Sequence, residues 1–105
     1  MLKAENKTIK MTEGDFGLLL PITITGGQIS EDETLVFYIK DDKKENLIEP
    51  KSYKNIQNNT FDLSFTEEES KLMKSGVYFY YIDWYKENEF LGNIINGKLF
   101  KVEDK

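Results

Sequence analysis

Residues 75–85 read SGVYFYYIDWY, and six of the eight positions from Tyr78 to Tyr85 are aromatic. Successive side chains of a strand point to opposite sides, so a strand that buries one face needs large apolar residues at every second position only. Tyr78, Tyr80, Ile82 and Trp84 form one such set and suit a core. Val77, Phe79, Tyr81 and Tyr85 form the other set, which a core does not explain. Asp83 falls in that second set and reads as an outward, solubilising carboxylate.

Outward from this stretch, the chain reads as short strands separated by turn residues. NKTIKMT (6–12) suggests a short first strand. FGLLLPITIT (16–25) suggests a second, with Phe16, Leu18, Leu20, Ile22 and Ile24 on one face. Pro21 lacks an N–H, which places it at a sheet edge or bulge. TLVFYIK (34–40) puts Leu35, Phe37 and Ile39 on one side and Val36 and Tyr38 on the other. LIEPKSY (47–53) is a weak edge strand at Pro50, and TFDLSF (60–65) turns Phe61, Leu63 and Phe65 inward. Thr66 and Glu69 have capping-box spacing. Glu67–Glu69 in the first turn and Lys71 and Lys74 at the end suit the helix dipole. Gly76 is placed as the left-handed residue closing this helix, and Leu72 as a lid over the core. Gly92 and Gly97 mark bulges in a final strand from Phe90 to Glu103.

Composition narrows the chemistry. The 105 residues suit one domain, 1–105, with an ordinary core. All 14 cationic side chains are Lys and the net charge is −5, which disfavours nucleic acid as a partner. Cys and His are absent, removing disulfides, thiolate sites and the commonest general base. The start MLKAENKTIK has no signal-peptide core and GLLLPITI is too short to span a bilayer, so the expectation is a chain made in the cytoplasm without a membrane partner.

The acidic runs Glu31-Asp32-Glu33, Asp41-Asp42 and Glu67-Glu68-Glu69 lack the alternating carboxylates and central Gly of a calcium loop, so they read as solvated charge. No Ser or Thr has a base beside it in a recognisable motif, and no phosphate cradle follows a strand. The expectation is a protein that is not an enzyme and carries no cofactor, metal ligand or catalytic residue.

The turn spacing fits an all-β, immunoglobulin-like sandwich of about seven strands with one short helical turn before the sixth strand. SGVYFY resembles the tyrosine corner of such domains, with Tyr78 bonding to the backbone and Tyr80 where antibody domains place a cysteine. The aromatic strand would then lie between the third and last strands. The outer face would collect Val36, Tyr38, Phe79, Tyr81, Tyr85 and Leu99. Three readings account for such a face: a protein partner or second copy buries it, sugar rings stack on it with Asp83, Asn93 and Asn96 as polar partners, or a loop or the helix covers it.

Gly14-Asp15, Thr66 to Leu72, Gly76-Tyr78-Tyr80 and Gly97-Phe100-Val102 follow one another in order along nearly the whole chain. This order resembles the small immunoglobulin-like proteins and N-terminal domains of tail and baseplate modules in phages and prophages of Gram-positive bacteria. The chain departs from them at Phe79 and Tyr81, where members commonly carry charged residues or Thr. The resemblance implies a virion structural or accessory protein that binds other subunits of a phage-derived assembly and performs no catalysis. The alternative is a carbohydrate-binding module for bacterial surface glycans.

Overall fold

Leu35, Phe37 and Ile39 are completely enclosed while Val36, Tyr38 and Lys40 between them are half-buried, the alternation of a strand with one face on a core. This is β4 (Glu33–Lys40) in a computed structural model that describes residues 2–4 and 8–105. The other elements are β1 (Lys3–Ala4), β2 (Ile9–Thr12), β3 (Leu20–Thr25), β5 (Lys51–Tyr53), β6 (Thr60–Leu63), α1 (Glu67–Leu72), β7 (Gly76–Lys86) and β8 (Glu89–Glu103). Two sheets form, in the orders β1-β3-β6 and β2-β8-β7-β4-β5. The chain is an all-β sandwich with its core between them.

The expected first strand, 6–12, is present as Ile9–Thr12, which runs parallel to β8 in the large sheet. A strand that was not expected, Lys3–Ala4, precedes it and pairs antiparallel with β3 in the small sheet. Residues 6 and 7 of the expected strand lie outside the described residues. Pro21 sits in β3 opposite Asp62; among the described residues its other side meets no strand, since Lys3–Ala4 pairs with Thr25 and Ile24. Pro50 immediately precedes β5, the outer strand of the large sheet. Both positions suit a residue with no N–H to donate.

The centre is aromatic. Phe37, Phe65, Tyr80 and Phe100 meet with ring centroids 5.8–6.5 Å apart, mostly edge-on or tilted. Trp84 lies at one end, and its indole N–H donates to Glu33 Oε2 at 2.6 Å. Glu33 is therefore not the solvated charge its acidic run suggested; it is only 6% exposed. Burial pushes its pKa up, but hydrogen bonds from Ser30 and Trp84 outweigh this and hold it below the usual value.

α1 forms as its caps predict. Thr66 accepts from the Glu69 N–H, and Glu69 accepts from the Thr66 N–H. Glu69 also meets Lys51 at 2.8 Å, tying the helix to β5. Two expectations fail here. Leu72 is 57% exposed, and the following Met73 fills the core instead, completely enclosed. Gly76 does not close the helix; it opens β7 opposite Val102. The buried face of the helix carries Ser70 and, three residues on at the C-cap, Met73, so Leu72, two residues after Ser70, points away from the core.

A further difference concerns Phe16 and Leu18, expected inside. They precede β3 and are 52% and 53% exposed. Gly17 breaks the extended run at φ 76° and donates its N–H to the Phe65 carbonyl, so strand pairing starts only at Leu20.

Candidate functional site: the outer face of the large sheet

β7 lies between β4 and β8, so its odd-numbered side chains share the outer face with even-numbered residues of β4. The register aligns Lys10 with Lys101 and Val77, Leu99 with Phe79 and Lys40, Asn96 with Tyr81 and Tyr38, Asn93 with Asp83 and Val36, and Phe90 with Tyr85 and Thr34. All six residues expected on this face are brought together there: Val36, Tyr38, Phe79, Tyr81, Tyr85 and Leu99. Phe79 is 37% exposed and Val77 53%, while the other five are half-buried.

Much of that half-burial comes from neighbours in the same layer. Tyr38 and Tyr81 stack with centroids 4.8 Å apart and planes 7° from parallel. Lys40 Nζ lies 5.5 Å from the Tyr38 centroid, within cation–π range. Tyr85 meets Phe90 edge-on at 5.5 Å. Tyr81 also leans over β8 at Gly97, a bulge residue with φ 79°; a Cβ there would stand 3.6 Å from the tyrosine ring. Gly97 thus supplies the backbone turn, and it is this left-handed φ rather than the space beside the ring that favours glycine.

Asp83 corrects the sequence reading most sharply. It points outward as expected, yet it is only 8% exposed. Asn93 donates to it at 2.5 Å. Burial raises the pKa of Tyr38 to about 12, with the charge of Asp83 and a hydrogen bond to it adding to the effect. Asp83 is the polar pin of the layer, holding side chains of β4 and β8 to β7. The bulges of β8 bring Asn93 opposite it, and only the three-dimensional register reveals that pairing.

Beside this layer, over β4, two shallow depressions of about 280 and 270 Å3 share Val36 and Tyr85. Ser52, Lys54 and Glu87 rim one; Lys40, Asn46 and Asp83 rim the other. Nothing in them sets a nucleophile against a base. Another apolar feature escaped the sequence reading: Phe16, Leu18 and Leu19 stand 52–64% exposed on the loop before β3. The only local signal was Gly17, which interrupts their alternation.

Among the described residues, no helix is long and apolar enough to cross a membrane. The chain matches no protein-family model and no curated protein.

Proposed function

We propose that this chain is a non-catalytic interaction module of immunoglobulin-like architecture that docks through the outer aromatic face of its large sheet. Its partners are other subunits of a phage-derived tail or baseplate assembly. The architecture is supported by the strand orders, which correspond to an A-B-E sheet against G-F-C, with a first strand divided between sheets and one added edge strand. It is supported too by the Tyr78 hydroxyl, which donates to the Lys74 carbonyl at 2.7 Å, the bond of a tyrosine corner. The assembly context rests on the family resemblance.

The observation that carries docking is the layer Val77, Phe79, Leu99, Tyr81 and Tyr38, continuous across β8, β7 and β4 and roofed by no element among the described residues. Its rings are held in place before any partner arrives, which lowers the entropy cost of binding. Burying several hundred Å2 at ~25 cal/mol per Å2 offers several kcal/mol before the cost of association. Glycan binding is the second reading, favoured by the two depressions with Tyr85 between them and Ser, Asn, Asp and Lys on their rims.

The test is co-expression with the products of adjacent genes, followed by affinity purification. The wild type should retain an assembly subunit, and Phe79→Lys with Tyr81→Glu should lose it while folding normally. Retention by both proteins would reject the docking face. Binding of a purified cell-wall glycan with a change in tyrosine fluorescence, and of no subunit, would favour the second reading.

A further inference from the structure

The chain holds eight asparagines, and only one of them, Asn96, is followed by glycine. The others precede lysine, leucine, isoleucine, asparagine, threonine or glutamate, whose side chains shield the backbone nitrogen next to the amide. Glycine has no Cβ and leaves that nitrogen open. The fold adds to this pairing of residues. Asn96 is exposed on the outer face, opposite Tyr81. Its side-chain amide makes no hydrogen bond among the described residues, whereas Asn93 is tied to Asp83, and Asn59 to Ile29, Ile24 and Gly27. The ladder pairs Tyr81 with Asn96 and Tyr80 with Lys98, so Gly97 between them has no residue opposite it. Its φ of 79° departs from the extended geometry of the strand around it.

We propose that Asn96 is a site of spontaneous deamidation, which places a carboxylate in the middle of the outer face. The Gly97 backbone nitrogen gives its proton to solvent base and attacks Asn96 Cγ. The bond from Cγ to the side-chain nitrogen breaks, ammonia leaves, and a five-membered succinimide closes. Water then opens either carbonyl of the ring, yielding aspartate or, with the backbone routed through Cγ, isoaspartate. One water enters and one ammonia departs, and no oxidant or reductant takes part. Strand pairing restrains such a ring closure, and the bulge sets Gly97 outside the pairing. Either product adds a negative charge one row from Asp83 and beside the Tyr38–Tyr81 stack. Isoaspartate also lengthens β8 by one backbone carbon. A partner surface that covers the neutral row would have to desolvate the new charge, so the modified chain docks less tightly. That consequence rests on the docking-face reading; the site of modification does not.

Incubation of the purified full chain in mildly alkaline buffer, followed by peptide mapping with fragmentation mass spectrometry, tests the site. Asn96 should gain the mass of oxygen in place of NH before any other asparagine does, and the acidic species should separate on anion exchange. Asn96→Gln, whose longer side chain closes a larger ring, should stay a single species under the same conditions, with a circular dichroism melt establishing that it folds. An unchanged Asn96, or conversion no faster than at Asn58 or Asn93, overturns the inference. The separated acidic species then addresses docking: it should retain an assembly subunit about tenfold or more weakly than the unmodified chain. Equal retention of the two species, with loss in Phe79→Lys with Tyr81→Glu, overturns the consequence for docking. A wild type that retains no subunit refutes the docking reading alone, and the mass gain at Asn96 still decides the site.

Discussion

The two faces of β7 differ in how they become dry. On the inner face, Tyr80 and Ile82 are completely enclosed by both sheets. On the outer face, Tyr81 and Phe79 gain cover from neighbours in their own layer, and Phe79 stays 37% exposed. An inner residue touches elements distant in sequence, so removing it leaves a cavity that the fold cannot close. An outer residue can be removed and replaced by water. The same residue types thus serve stability on one side and remain available for contact on the other.

The largest expected contrast follows directly. Tyr80→Ala should cost about 3–5 kcal/mol in urea unfolding, as large core truncations do. Tyr81→Ala should cost about 1 kcal/mol, the scale of a cross-strand aromatic pair. Equal costs would erase the distinction between the faces.

Asp83 sharpens the comparison because it gives the outer face a core-like element. Asp83→Leu should destabilise by about 1–3 kcal/mol, since it leaves the Asn93 amide and Tyr38 hydroxyl without their carboxylate. Alkaline titration followed by tyrosine absorbance should find Tyr38 ionising near 12, and earlier in the variant as the nearby charge is lost. The sign for stability follows: a Tyr pKa raised from 10.0 to about 12 makes a contribution fully present below pH 10. That contribution declines as the unfolded tyrosine ionises first and is gone once pH passes about 12. Melting temperature should therefore fall between those values, less steeply in the variant.

The smallest effect belongs to Tyr78, at the margin of the inner set. Tyr78→Phe removes one hydrogen bond to the Lys74 carbonyl and should cost about 1 kcal/mol by denaturant titration. A cost near zero would remove the energetic support for the tyrosine corner.

The legible parts of the fold are those where period-two alternation coincides with actual pairing. Leu35, Phe37 and Ile39 point inward, as do Phe61, Leu63 and Phe65, and each set was readable from spacing alone. Phe16 and Leu18 keep the same alternation but precede the first paired residue, and periodicity does not mark where pairing begins. Glu33 and Asp83 were misread because their partners Trp84 and Asn93 reach them through tertiary register, and local charge patterning carries no trace of it. The six outer-face residues were legible because strand parity and strand order suffice to group them. Their mutual stacking and the pinning carboxylate were not.

The most direct test of the central claim measures folding and association together in Phe79→Lys with Tyr81→Glu. The account predicts a cooperative melt, lowered by no more than the loss of the Tyr38–Tyr81 stack and the added surface charge require, and complete loss of the association that the wild type shows. A collapsed melt would mean this face is part of the core, and undiminished association would mean the contact lies elsewhere.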